Sequence, residues 1–216
     1  MSVRKVSNRG GNTIGRLPSL KVDRMVSFES LLERDFIYWL EFEPTVSWFS
    51  EQPLTISYQH DQRTLRYTPD FQVIKQNQIF LVECKPAEFV TRAENQRKFE
   101  AAQNWCAQHH WHFQVVTEVD LNQGYRLHNI KRLCQFARYP LMSGLKSRVL
   151  TFLETATRPV TLADVMRVVA PEQPQRLFIP LLTMAFHHEI QLALDEAPLS
   201  AQTRVEVAPS SEEGGC

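Results

Sequence analysis

The sequence predicts a mixed α/β domain followed by a small unit of three helices and a β-hairpin. Three observations carry that reading. An amphipathic helical pattern occupies 27–42, three strand-like runs fill 45–85, and three helical stretches followed by two alternating strands begin near Met142.

The first helix is read from SFESLLERDFIYWLEF, with Ser27 as N-cap, Glu29 in the first turn and Pro44 just past the end. Phe28, Leu31, Leu32, Phe36, Trp39 and Leu40 form its apolar face. The runs 45–58, 64–74 and 78–85 are separated by turn-like HDQR and KQNQ, which predicts a three-stranded meander. A long helical pattern at 87–110 leads to a short strand at 112–118, and a helix at 128–140 closes the domain. Beyond it, GLKSRVLTFLETA is amphipathic. TLADVMRVVA pairs Thr161 with Asp164 as a near capping box. PQRLFIPLLTMAFHHE is a third helix that Pro180 should kink. EIQLALDE and TRVEVA then alternate around a loop like a small wing, so the order is that of a winged helix. The expected division is a basic arm at 1–26, the mixed domain at 27–140, a winged-helix-like unit at 141–208 and a tail at 209–216.

With 43% hydrophobic and 22% charged residues and a net charge of zero, the composition is that of an ordinary soluble protein. No apolar run reaches the roughly 20 residues that span a bilayer, and the N-terminus lacks the apolar core of a secretory signal. A cytoplasmic setting is expected. The four cysteines form no C-x-x-C pair, which argues against a zinc ribbon and for reduced thiols. Arg4, Lys5, Arg9, Arg16, Lys21 and Arg24 face only Asp23 in the first 25 residues. With Gly10-Gly11 among them, this arm reads equally as a phosphate-contacting tail, through Arg4, Lys5, Arg9 and Arg16, or as a solvated one.

The chemistry-bearing stretch is YTPDFQVIKQNQIFLVECKP. If Gln76-Asn77 is the centre of a two-residue turn, Lys75 faces Gln78 and Asp70 falls opposite Glu83. Facing Cβ atoms stand about 4.5–5.5 Å apart. Lys85, two residues on, points from the same sheet face as Glu83. Two facing carboxylates repel, and a divalent cation between them reverses the sign of that interaction. Mg²⁺ prefers oxygen ligands, keeps several waters and takes one or two carboxylates plus substrate phosphate. A lysine beside it positions water or steadies developing phosphate charge. The constellation is that of metal-assisted phosphodiester hydrolysis. A third acid should come from the first helix, where spacing leaves Glu29, Glu33 and Asp35 open.

Other candidates carry less. His109, His110 and His112, and His187 with His188, have no acid or cysteine at ligand spacing, and histidines at a helix end commonly serve its dipole. Arg92, Arg97 and Lys98 read equally as DNA contacts or a solvated helix face. The third helix of the second unit offers Arg176, His187 and His188 on an otherwise apolar stretch, poor chemistry for reading bases. No phosphate-binding Gly-rich loop, nucleophile elbow or H-E-x-x-H occurs.

With Pro69-Asp70 and Glu83-Cys84-Lys85, the layout resembles the PD-(D/E)xK restriction-endonuclease superfamily. The order SLLERDFIYWLEFEPTVSWFSEQPL, YTPDF, VECKP resembles TnsA, the endonuclease subunit family of heteromeric cut-and-paste transposases, over 27–118. The resemblance implies a restriction-endonuclease-like mixed sheet flanked by helices. It places the helix acid on Glu33, the metal-binding acid on Asp70 and the E-x-K pair on Glu83 and Lys85, with the Cys84 carbonyl as a further ligand of Mg²⁺, for which Mn²⁺ can substitute. The implied reaction is hydrolysis of the non-transferred strand at transposon ends in double-stranded DNA. A TnsB-like transposase would process the 3′ strands, and a TnsC-like AAA+ ATPase would dock on the C-terminal unit. Two rival readings are a stand-alone restriction or repair nuclease on the same fold and a non-catalytic assembly factor bridging transposase and ATPase.

Overall fold

The computed structural model describes residues 13–209. The chain divides into two compact units, the first ending at Asn122 and the second beginning at Gln123. Among the described residues no helix is long and apolar enough to cross a membrane.

The first unit opens with a hairpin, β1 (Gly15–Ser19) and β2 (Arg24–Phe28), where a continuous basic arm was expected. Two of its cations, Lys21 and Arg24, serve the fold. The Lys21 ammonium donates to the Leu40 carbonyl at 2.6 Å and to that of Glu43, closing the carbonyl end of the first helix. Arg24 makes a two-pronged bond to Glu51, at 2.9 and 2.6 Å. Burial acts to raise the Glu51 carboxyl, and the Arg24 bonds override it and hold it below the usual range.

The helix α1 (Leu31–Phe42) starts at Ser30, not Ser27. Phe28 is drawn into β2, so the chain enters the helix three residues later, with the Ser30 hydroxyl accepting the Glu33 N–H at 3.1 Å. Then follow β3 (Val46–Glu51), β4 (Ile56–His60), β5 (Arg63–Tyr67), β6 (Phe71–Lys75) and β7 (Gln78–Cys84). The expected three-strand meander is thus corrected to five strands. Pro53 and Pro69, which cannot donate to a ladder, each interrupt an expected run. The middle pieces β4 and β5 leave the main sheet as their own hairpin, turning at Asp61-Gln62, both with positive φ.

The long helix is also two, α2 (Ala87–Val90) and α3 (Ala93–Gln108). Arg92 is extended between them, and the Asn95 and Gln96 side-chain amides donate to the freed Phe89 and Val90 carbonyls, both at 2.7 Å. The crossover returns the chain as β8 (His112–Val116), parallel to β7, and α4 (Glu118–Leu121) ends the unit. The main sheet runs β3-β6-β7-β8, antiparallel except for its last pair. On one face α1 packs Phe36 edge-on against Phe71 at 5.5 Å. On the other, Leu81 is buried with Ile56 and Tyr67 of the small hairpin and Ala102 and Cys106 of α3. This is a mixed sheet flanked by helices, as expected of a restriction-endonuclease-like domain.

The second unit comprises α5 (Arg126–Phe136), α6 (Leu145–Thr155), β9 (Val160–Thr161), α7 (Leu162–Val169), a 3₁₀ turn at Pro174–Leu177, α8 (Phe178–Phe186), β10 (Ile190–Leu192) and β11 (Arg204–Val207). Its three-stranded sheet is ordered β10-β11-β9 and is antiparallel throughout. The helix expected to close the nuclease domain belongs here instead, so the expected boundary near 140 moves to 122/123. The fully buried Asn129 of α5 donates to the Leu194 and Ala197 carbonyls at 2.7 and 2.8 Å and accepts the Leu199 N–H at 2.9 Å. The Thr183 hydroxyl of α8 donates to the Phe136 carbonyl at 3.0 Å. Pro180 falls at the third residue of α8, where its missing N–H would be unused; the change from 3₁₀ to α geometry comes before it.

Thr161 and Asp164 form the full reciprocal cap of α7. The Arg158 bond to Asp164, then the Thr161 N–H and hydroxyl, hold the Asp164 carboxyl well below the usual range. Asp164→Ala should cost about 1 kcal/mol. The folded-state value lies below the unfolded one, so this contribution is complete above about pH 4 and lost as pH falls through the folded value. Urea midpoints of wild type and variant should therefore differ at neutral pH and converge on acidification.

Candidate active site

The β6–β7 hairpin has the register that a two-residue turn predicts, Lys75 facing Gln78 and Phe71 facing Val82, with Gln76 and Asn77 both at positive φ. Asp70 lies one residue outside this ladder, on the side of Glu83. Its Oδ2 accepts the Cys84 N–H at 2.7 Å, and its carbonyl accepts the Gln52 N–H at 2.7 Å, so main chain on two sides fixes the acid.

Glu83 is 4% exposed and has a donor on each oxygen. The Lys85 ammonium lies 2.9 Å from Oε1, and the Tyr67 hydroxyl donates to Oε2 at 2.7 Å. Glu33 comes from the start of α1: the Ser30 hydroxyl donates to Oε1 at 2.9 Å and the Glu29 N–H to Oε2 at 2.8 Å. Asp35 is instead engaged by its neighbour Arg34 at 2.8 Å, and Glu29 accepts from the Gln52 amide at 3.1 Å. Of the three helix acids that spacing left open, Glu33 is one whose charge acts on Asp70.

The electrostatics follow from burying three acids around one lysine. Burial, then the charges of Glu83 and Glu33, push the Asp70 carboxyl well above the usual range, against the Cys84 N–H and Lys85. Burial also raises Glu33, against its two hydrogen bonds. For Lys85, burial acts to lower the ammonium, but the charge and hydrogen bond of Glu83, with Asp70 and Glu33, outweigh it. Lys85 therefore stands as a cation. Burial, then the charge of Asp70, raises the Cys84 thiol, which leaves a neutral small side chain and no nucleophile.

Three carboxylates against one ammonium, with only oxygen donors, suit a hard divalent cation. Among the described residues no three acid, His or Cys side chains stand as a ready-made cage. A cation that keeps most of its waters needs only one or two carboxylates, which Asp70 and Glu83 could supply beside the Cys84 carbonyl. Glu33 has both oxygens bonded at its own helix start, and its charge acts on Asp70.

Sequence reading missed Tyr67 and Gln52. Tyr67 had a signal: it lies three residues before Asp70, on the strand whose hairpin leans on β7. Gln52 had none, because its positive φ and its bonds to Asp70 and Glu29 are products of the fold. Of the proposed DNA-contacting cations, Arg16 is exposed on β1, while Arg4, Lys5 and Arg9 lie outside the described residues.

A mixed sheet with an acid at one strand mouth and an E-x-K pair at the end of its neighbour defines a nuclease domain of restriction-endonuclease type. Residues 43–118 match the family described as TnsA-like endonuclease N terminal. The matched segment holds Asp70, Glu83 and Lys85, and its similarity to a TnsA-like endonuclease domain supports a nuclease role in transposition. No curated protein matches the chain.

Proposed function

We propose that the chain is a metal-dependent DNA endonuclease that hydrolyses the non-transferred strand at transposon ends, freeing their 5′ ends. The observation that carries this reading is the convergence of Asp70, Glu83 and Lys85 inside the matched segment. Asp70, Glu83 and the Cys84 carbonyl would hold Mg²⁺ or Mn²⁺. Such an ion polarises a phosphoryl oxygen and lowers the pKa of bound water. Lys85 offers a fixed ammonium to charge developing on the phosphate oxygens. Tyr67 holds Glu83 in one rotamer, and Glu33 adds negative charge from the helix start. Arg4, Lys5, Arg9 and Arg16 would contact DNA phosphates.

The second unit has the element order of a winged helix, but residues 180–186 of α8 are all buried, and α5 is bonded to it through Thr183 and packs Arg132 over Phe178 at 5.6 Å. A helix so covered cannot enter a major groove. On this reading the second unit would instead dock a TnsC-like ATPase, beside a TnsB-like transposase acting on the 3′ strands, in the cytoplasm.

The test is strand-specific cleavage of labelled transposon-end DNA with Mg²⁺, alone and with the cognate transposase and ATPase. Cutting of the 5′ strand alone, dependent on partners, is expected. Partner-independent cutting of both strands would instead indicate a stand-alone nuclease.

A further inference from the structure

The candidate site is itself negative, and a polyanion approaching it needs cations at its flank. The β4–β5 hairpin supplies them. Its inner face is apolar: Ile56 and Tyr67 are buried against Leu81 and α3, with Tyr58 packed alongside. Its outer face, by strand alternation, carries Ser57, Gln59, Thr64 and Arg66, in the pairs Ser57–Arg66 and Gln59–Thr64. Arg63 stands at the tip, paired with His60 and by the same alternation on the opposite face from Arg66, and both arginines are exposed. Elsewhere in the first unit Arg24 and Arg34 are engaged by acids, Lys21 by carbonyls, and Lys75 and Arg92 lie over aromatic rings. The guanidinium groups of Arg63 and Arg66 have no hydrogen bond, ion pair or ring partner among the described residues.

The hairpin is also wired to the site. Tyr67, next to Arg66, donates to Glu83, and the Thr55 and Thr68 hydroxyls bridge the base of the hairpin at 2.8 Å. Only Tyr67, Thr68 and Pro69 separate Arg66 from Asp70, at most about 14 Å of extended chain. At about 3.4 Å of axial rise per nucleotide, that spans roughly four nucleotides.

We infer that the β4–β5 hairpin is a DNA-backbone clamp, with Arg66 and Arg63 binding phosphates beside the scissile one and setting its position over Asp70, Glu83 and Lys85. The inference rests on the endonuclease reading above. Arginine is suited to the task because its planar fork meets two phosphate oxygens at once. The two contacts carry no base information, so they should act on any DNA sequence.

The experiment measures binding of a labelled duplex oligonucleotide to the full chain at low salt without divalent metal, as a function of salt, for wild type, Arg66→Gln and Arg63→Gln/Arg66→Gln. The double variant should bind about tenfold more weakly. Its slope of log affinity against log salt should be shallower by about 2, the single variant's by about 1. Wild type that binds here, and cuts in Mg²⁺ with its partners, while the double variant keeps its slope would overturn the clamp and leave the endonuclease reading standing. So would a variant defective only when partner proteins are present, since that would make the hairpin a protein-docking element. Wild type that neither binds this DNA nor cuts it in Mg²⁺ with the cognate transposase and ATPase would overturn both.

Discussion

Asp70→Asn should abolish DNA cleavage and at the same time make the metal-free protein more stable. The loss of rate should reach about 10³-fold, the equivalent of several kcal/mol of charge stabilisation. The gain in stability follows from what the carboxylate touches. Asp70 is pushed up by burial and by the charges of Glu83 and Glu33, so its ionised form opposes folding near neutral pH. Asparagine keeps an oxygen to accept the Cys84 N–H, which Asp70 accepts at 2.7 Å, and drops the charge. A gain of about 1–2 kcal/mol is expected, the usual size when a functional group held against stability is neutralised. Urea unfolding in EDTA beside strand-specific cleavage in Mg²⁺ checks both halves. A destabilised Asp70→Asn would mean that the carboxylate is structural, and the crowding of like charge would not be the site's organising feature. Retained cleavage would remove Asp70 from the chemistry altogether.

That the crowding is real was legible from the sequence, because one turn sets it. Gln76 and Asn77 adopt positive φ, two residues suffice to close the hairpin, and every facing pair between β6 and β7 then follows. Periodicity placed the apolar face of α1 only in part: Phe36 and Leu40 are buried, while Leu31 is half exposed and Phe28 belongs to β2. What remained hidden depended on partners distant in the chain. The run 45–58 reads as one strand until Pro53 is weighed as a missing donor, and then β4 is free to fold onto α3. Ser27 and Ser30 are equal as caps by composition; β2 decides between them by claiming the chain up to Phe28. Periodicity says that α5 is amphipathic, but it cannot say which core receives it. That is decided by Asn129, whose amide meets the loop after β10. Tyr67 and Gln52 belong to the same class: their roles exist only once the small hairpin and the end of β3 have been folded against β6 and β7.

Lys85→Met should abolish cleavage as fully as Asp70→Asn, with the opposite effect on stability. Glu83 is almost entirely buried, and Lys85 lies 2.9 Å from its Oε1. Removing the ammonium leaves a buried charge with only the Tyr67 hydroxyl to compensate it. Breaking a fully buried pair costs about 3–5 kcal/mol. Lys85 keeps about a quarter of its side chain exposed, which lowers the expectation to roughly 2–3 kcal/mol. Glu83→Gln added to Lys85→Met should restore most of that stability, because the neutral amide no longer needs a cation, and should restore no cleavage. The double-mutant comparison separates two roles that the single variant confounds. If stability and cleavage return together, Lys85 acts only by holding Glu83 in place. If stability alone returns, and Glu83→Gln by itself still cuts, the ammonium itself serves the reaction, at the phosphate rather than at its neighbour.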